Sequence, residues 1–226
     1  MEQNSELKEI LNSYNEQIKA IIDDSNNIAV FLVGSSKNID FKSENNIRDI
    51  DIFIVSNQKE DQIRDIKLLN GIEFDINKFS PNYVEYLIKT KEYFFIKEMK
   101  DAKIIYDKKD ISNRILKISK IKYDEGPKQI SESEILVLAN TIYDNICRLE
   151  VKNSFENYEY EFLTNIYLKD IIKAYFIKNR KWIPKDKKLF KYLSENEKDL
   201  FKLVINIYEG YEYDNLKKVY EYVFSK

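Results

Sequence analysis

Residues 28–35 read Ile-Ala-Val-Phe-Leu-Val-Gly-Ser, and residues 49–55 read Asp-Ile-Asp-Ile-Phe-Ile-Val. The first stretch is a short, β-rich apolar run that Gly34 ends, which predicts a buried strand. The second alternates acidic and apolar residues before it becomes wholly apolar, which predicts a strand that starts with two carboxylates on one face. The run Ile72-Glu73-Phe74-Asp75-Ile76 repeats the acid–apolar alternation and predicts a third strand. These three strands indicate a sheet in the first half of the chain.

The segments around these strands predict the rest of a mixed α/β domain. Apolar residues recur at helical spacing between Leu7 and Ile22, which predicts an amphipathic helix before the first strand. Asn70-Gly71 is typical either of a hairpin turn or of a helix C-cap. The stretch from Pro81 to Lys100 is expected to be helical, and Lys103-Ile104-Ile105-Tyr106 is expected to be a last short strand.

The second half of the chain changes character after Asp124-Glu125-Gly126-Pro127, which pairs a glycine and a proline among polar residues. Beyond it the apolar residues recur only at helical spacing, as in a helical bundle. The sequence therefore predicts an α+β protein with two domains. Residues 1–125 form an N-terminal mixed β-sheet domain with helices, and residues 126–226 form a C-terminal α-helical bundle.

Two capping boxes mark predicted helix starts in this second half. Ser131 with Glu134 precedes an apolar stripe, and Ser194 with Glu197 precedes another. A further helix is predicted from about Tyr158 to Arg180.

Composition excludes several classes of chemistry and partner. The 226 residues carry 37 Lys+Arg and 39 Asp+Glu, a net charge of −2, and no histidine, so every mechanism that requires imidazole is excluded. The single cysteine, Cys147, excludes disulfide frameworks and fits a reducing cytosol. The near-neutral charge makes nucleic acid an unlikely partner. No apolar run approaches the roughly 20 residues that span a bilayer, so a cytoplasmic protein without a membrane partner is expected.

The candidate chemistry lies at the predicted strands of the first half. A glycine after a strand lets backbone amides approach a phosphate, and the hydroxyl of Ser35 can add a hydrogen bond. Asp49 and Asp51, two apart on a strand, point the same way and can bind hard cations together. Asp75 on another strand would complete oxygen coordination of two magnesium ions, which suits displacement at phosphorus. Acid-x-acid pairs are common in so acidic a chain, and most are solvated surface charges.

Three stretches of the first half belong together: Phe31-Leu32-Val33-Gly34-Ser35, Asp49-Ile50-Asp51-Ile52 and Phe74-Asp75-Ile76. Taken in this order, they resemble the signature of the DNA polymerase beta-type nucleotidyltransferase superfamily. The resemblance covers about residues 1–110. The helical half is similar in plan to the antibiotic-modifying members of the kanamycin and lincosamide type. The resemblance implies an enzyme that transfers a nucleoside monophosphate from a nucleoside triphosphate, with ATP favoured, to a hydroxyl group and releases pyrophosphate.

The resemblance also implies residue roles. Gly34 and Ser35 would hold the triphosphate, Asp49 and Asp51 would bind both magnesium ions, and Asp75 would join them at one ion. Lys37 stands where many members have Arg, and it could contact phosphate as a point charge. Many members have Ser before the first aspartate.

This chain has Arg48 at that position, which could pair with a carboxylate or point to solvent. The third acid is ambiguous, because Glu73 also fits the frame and is otherwise a candidate base or supporting group. Asp144 is an alternative base from the helical half, although an ordinary ion pair with Arg148 explains it more simply.

The acceptor is the least determined part. A small hydroxylated molecule, such as an aminoglycoside-like or lincosamide-like antibiotic, is the favoured acceptor, bound by a monomer or a homodimer. Lysines around Trp182 could hold triphosphate or RNA but are more simply a solvated face. Two other functions stay open: an enzyme that nucleotidylates protein or RNA, and a non-catalytic or regulatory interaction protein that keeps the fold.

Overall fold

The computed structural model describes residues 2–39, 47 and 49–225, with side chains from residue 9 onward. The chain divides into two compact units, Met1–Glu125 and Gly126–Lys226. The division falls at the peptide bond that separates the two domains predicted from sequence. In the described part of the chain, no helix has the length and apolar character needed to cross a membrane.

The first unit is a mixed five-stranded sheet with helices, as the α+β prediction requires. Its strands lie in the order β3-β4-β2-β1-β5, and β2 and β4 pair in parallel while the other neighbours are antiparallel. Its elements are α1 (Glu2–Asp23), β1 (Asn27–Leu32), β2 (Asp49–Ser56), β3 (Gln62–Leu69), β4 (Ile72–Phe79), α2 (Pro81–Lys89), α3 (Tyr93–Met99), β5 (Lys103–Asp107) and α4 (Ser112–Asp124).

The two faces of this sheet have different cores. Alternate residues of a strand point to opposite faces, and Ile50, Ile52 and Ile54 of β2 pack in one cluster with Ile18 and other apolar residues of α1. The opposite face holds an aromatic cluster in which Phe53 stacks on Phe95 of α3. The first residues of β2 on that opposite face are the acidic ones, so the helices cover the apolar end of the face and the carboxylates lie beyond the cluster.

A tight hairpin joins β3 to β4. Asn70 and Gly71 have φ values of +50° and +79°, and their flanking residues Leu69 and Ile72 are paired. Two central residues with positive φ are typical of a type I′ turn, which matches the twist of the strands. The hairpin alternative for Asn70-Gly71 is therefore confirmed, and the C-cap alternative is wrong.

The second unit is helical throughout its regular structure. It contains α5 (Glu132–Cys147), α6 (Asn157–Lys178), α7 (Asp186–Asn196), α8 (Lys198–Gly210) and α9 (Tyr213–Phe224), with short 3-10 turns at Arg148–Glu150 and Lys152–Ser154. All five helices contribute to one apolar core, in which Ile171, Leu200 and Val219 are fully buried. The helical bundle predicted from the spacing of apolar residues is confirmed.

Several local predictions need correction. The helix predicted from Pro81 to Lys100 is two helices, because the chain turns between them at Lys91, whose φ is +59°. The capping box at Ser131 is present, with both reciprocal hydrogen bonds. The one predicted at Ser194 is absent, because Ser194 lies inside α7 and its hydroxyl donates to the Lys191 carbonyl.

Candidate active site

The parallel register of β2 and β4 brings four acidic residues to the same end of one sheet face. Asp49 is opposite Glu73, and Asp51 is opposite Asp75. Asp49 and Glu73 are exposed, whereas Asp51 and Asp75 are half-buried one step further into the sheet. Adjacent strands lie only about 4.8 Å apart, so the like charges of the inner pair favour a cation between them.

Gly34 follows shortly after β1 and fits closely against Asp51 of the inner pair. Its φ is +62°, a conformation that costs other residues energy, and a Cβ atom there would lie 2.6 Å from Oδ2 of Asp51. The Gly34 amide donates a 3.0 Å hydrogen bond to Oε2 of Glu98, on α3. The amide that the sequence assigned to phosphate is therefore aimed at an anionic oxygen, which here belongs to the protein.

Ser36, which the sequence did not single out, anchors the first residues of β2. Its side chain is fully buried, and its Oγ accepts a 2.8 Å hydrogen bond from the Asp51 amide. The same hydroxyl lies 3.5 Å from the carbonyl oxygen of Asp49. The Asp51 carbonyl in turn accepts a bond of 3.1 Å from the Val33 amide. These bonds fix the backbone that carries the two aspartates.

The other two residues assigned to phosphate follow in the same turn. Ser35 is exposed, and the Lys37 ammonium lies 2.5 Å from a carboxylate oxygen of Asp101. Burial raises the pKa of the Asp101 carboxyl, but the bonds from Lys37 and Lys100 outweigh it and the net pKa is lowered. Lys37 is thus a half-buried cation that is already held by an anion.

Arg64, on β3, forms a two-point contact with the third predicted carboxylate. Its Nε and Nη2 donate to Oδ1 and Oδ2 of Asp75 at 2.9 and 2.8 Å. The Asn77 amide nitrogen also donates to Oδ1 of Asp75 at 2.9 Å. The hydrogen bonds from Arg64 to Asp75 raise the pKa of the Arg64 guanidinium, and the charges of Asp75, Glu73 and Asp51 raise it further, while burial lowers it slightly. The guanidinium of Arg64 therefore interacts electrostatically with three of the four acids.

The acids fit a hard cation in their chemistry, because carboxylate oxygens are the ligands that magnesium prefers. The guanidinium on Asp75 demonstrates that this end of the face attracts positive charge. Within the described residues, however, no group of three or more acidic, cysteine or histidine side chains converges closely enough to hold a metal ion. Asp75 would have to exchange Arg64 for such an ion.

The inner pair does not include the remaining sequence candidates. Glu73 is exposed opposite Asp49, one step further out than Asp75. Asp144 is exposed on α5 of the second unit, and the described residues show no ion pair between it and Arg148. Arg48 lies outside the described residues.

Arg64, Asn77, Ser36 and Glu98 are the site residues that sequence reasoning missed. Ser36 follows directly on Gly34-Ser35, which was the one local signal available. Arg64 and Glu98 reach the site from separate elements, 11 and 64 residues away from their partners.

Comparison with known proteins supports the fold and goes no further. No family profile matches the chain, and no curated protein sequence matches it. Among solved structures, the chain is similar to the crystal structure of a nucleotidyltransferase-like protein from Exiguobacterium sibiricum 255-15. The TM-score is 0.50 at 10% sequence identity, over 95% of this chain and 74% of that one. An identity this low shows a shared nucleotidyltransferase-like fold alone.

Proposed function

We propose that this protein is a magnesium-dependent nucleotidyltransferase. It transfers a nucleoside monophosphate, with ATP as the favoured donor, to a hydroxyl group of a small molecule and releases pyrophosphate. The observation that supports this proposal most directly is the register of β2 and β4, which sets Asp51 opposite Asp75 while Gly34 packs against the Asp51 carboxylate. An aminoglycoside-like or lincosamide-like antibiotic is the acceptor class we favour, since the predicted plan of two domains resembles those enzymes.

The first unit supplies hydrogen-bond donors and carboxylates next to each other for this reaction. The Gly34 amide and Lys37 would hold phosphate oxygens, and Ser35 is exposed beside them. The Gly34 amide and Lys37 each bind a carboxylate of the protein, which is the kind of oxygen anion a phosphate would replace. Asp49, Asp51 and Asp75, on the strands beside Gly34, would hold two magnesium ions. Magnesium bound there would supply positive charge to the reacting phosphate oxygens.

The bond changes follow from this arrangement. The acceptor hydroxyl oxygen forms a bond to the α-phosphorus, and the bond from that phosphorus to the pyrophosphate oxygen breaks. A chain without histidine must pass the hydroxyl proton to a carboxylate or to solvent. Asp75 is the favoured acceptor of that proton, and Asn77, which donates to Asp75 Oδ1, keeps the carboxylate oriented.

The test is transfer of label from α-labelled ATP, with magnesium, to a panel of aminoglycosides, lincosamides, a protein and tRNA. We expect labelled product and pyrophosphate with one of the small molecules. Asp49→Ala combined with Asp51→Ala should lower the rate by more than the roughly 10- to 100-fold that loss of an outer partner of a metal ligand costs. Glu85→Ala, which removes an exposed acid of α2, is the matched control and should retain activity. Full activity of the double variant would refute the proposal.

A second function is favoured by one observation, the engagement of both Asp75 oxygens by Arg64. A protein that had lost catalysis could keep the fold and act as an interaction or regulatory partner. In that case neither Mn²⁺, as a spectroscopic substitute for magnesium, nor a fluorescent ATP analogue would bind to the folded chain. Binding of both together, weakened by the Asp49 and Asp51 substitutions, would exclude this alternative. Label on the protein or the tRNA of the panel would instead identify a macromolecular acceptor.

A further inference from the structure

The strand β3 is the outer strand of the sheet on the side of the acidic residues. Among the described strands it pairs only with β4, so the hydrogen-bonding groups of its other edge face outward. Its apolar side chains are unusually exposed for a strand: Ile63 by 39%, Ile66 by 52% and Leu68 by 73%. An exposed apolar edge of this length is a template for pairing with another strand.

Among the registers centred on its four middle residues, which pair most of the strand, the charges along β3 select one for pairing with a copy of itself. In a two-fold antiparallel pair that keeps each sheet face continuous, one residue lies on the axis opposite its own copy. Centring on Arg64, Asp65 or Lys67 would place two like charges opposite each other, which is destabilising. Centring on Ile66 places Asp65 of each strand opposite Lys67 of the other.

The same register also matches the apolar residues. Ile66 meets its own copy, and Ile63 lies opposite Leu69 of the second strand. Leu68 of the second strand lies opposite Arg64, and both lie on the face that carries Asp75, because Ile66 is registered with Asp75 in the hairpin. The second copy would thus place an apolar side chain against the stem of the arginine that holds the third acid.

We propose that two copies of this chain associate through their β3 strands, in the register centred on Ile66, to form a continuous ten-stranded sheet. Charge complementarity and the exposed apolar side chains identify the partner as a second copy. Arg64 of each copy then lies at the junction between the dimer interface and the acidic face. The association does not depend on the proposed catalytic activity.

The interface is expected to be weak when it is formed by these strands alone. One added pair of strands buries less than the roughly 1,200 Å² of a standard stable interface. The dimer should therefore dissociate on dilution, at concentrations in about the micromolar range. Sedimentation velocity of the full chain across a concentration series measures this directly.

Charge exchange provides the decisive test. Asp65→Lys or Lys67→Asp alone places like charges opposite each other twice in the dimer, and each variant should remain monomeric at concentrations that dimerise the wild type. The combined Asp65→Lys and Lys67→Asp variant restores both opposite pairs and should dimerise again. Glu85→Lys on α2 and Lys117→Asp on α4 are controls that make the same charge changes at exposed positions away from β3, and they should dimerise as the wild type does.

Each remaining outcome contradicts the proposal. A wild-type chain that sediments as a monomer at the highest concentration shows that the edge does not pair with itself. A dimer that persists in both single variants lies on another surface, and a combined variant that stays monomeric excludes the register. Circular dichroism of every variant confirms folding, since Asp65 and Lys67 form only an exposed 3.4 Å pair within one chain and should contribute little to stability.

Discussion

Gly34→Ala should destabilise the first unit through two separable effects. The first is the left-handed backbone at φ +62°, which costs an alanine about 1–2 kcal/mol. The second is the new Cβ atom, which would lie 2.6 Å from Oδ2 of Asp51, closer than any stable contact. Because the hydrogen bond from the Asp51 amide to Ser36 fixes the backbone of Asp51, the carboxylate must rotate or the turn must shift. Overpacking of this kind costs a further 1–3 kcal/mol, roughly.

Gly71 provides the matched control for the backbone effect alone. Its φ is +79°, and a Cβ atom there would meet nothing within 4 Å. In urea unfolding followed by circular dichroism, Gly71→Ala should therefore lower the free energy of unfolding by less than Gly34→Ala does. In an Asp51→Ala background the excess should disappear, because the carboxylate that meets the Cβ atom is gone. Equal losses for the two glycines, or an excess that persists without Asp51, would refute the close fit.

Three further predictions concern individual side chains. Ser36→Ala should lower the free energy of unfolding by about 1–3 kcal/mol, because a buried amide loses its acceptor, whereas Ser35→Ala at the exposed neighbour should change it by less than about 0.5 kcal/mol. Arg64→Gln should tighten Mn²⁺ binding measured by paramagnetic resonance, because a competing cation leaves the third carboxylate, and unchanged or weaker binding would contradict competition. Burial raises the pKa of the Glu197 carboxyl, but its hydrogen bonds, first of all the one from Lys181, lower this pKa overall. The resulting stabilisation is present above the pKa of Glu197 in the unfolded state and is lost as the pH falls through its lower pKa in the folded state. The free energy of unfolding, measured by acid titration, should therefore fall less steeply below about pH 5 in Glu197→Gln than in the wild type.

The fold was predictable where burial imposes a pattern on the sequence. β1 is buried along its whole length, and β2 is buried from Ile52 onward, so both appear as apolar runs. β3 was not predicted, because seven of its eight residues are exposed within one chain and neither of its faces has to be apolar. A strand without a buried face leaves no alternation of apolar and polar residues to detect.

The candidate site was predictable in its local parts and not in its long-range ones. Gly34 and the Asp49–Asp51 pair could be recognised in the sequence, because a turn and the start of a strand require particular residue types at fixed positions. Arg64 and Glu98 are ordinary surface charges in the sequence. Only the pairing of β3 with β4 and the position of α3 bring them onto Asp75 and Gly34, and neither placement follows from composition or spacing.

The two partners that the sequence did not reveal, Glu98 and Arg64, already bind groups that the proposed ligands would need. Folding leaves a partly buried amide at Gly34 and a half-buried carboxylate at Asp75, and each would be costly without a partner. The protein supplies Glu98 for the first and Arg64 for the second. These partners have the same charges as a phosphate oxygen and a metal ion. A site built this way would be stable without the ligands of the proposed reaction, and those ligands would have to replace these partners rather than create new contacts. The net affinity for such a ligand would therefore be set by the difference between the two sets of hydrogen bonds.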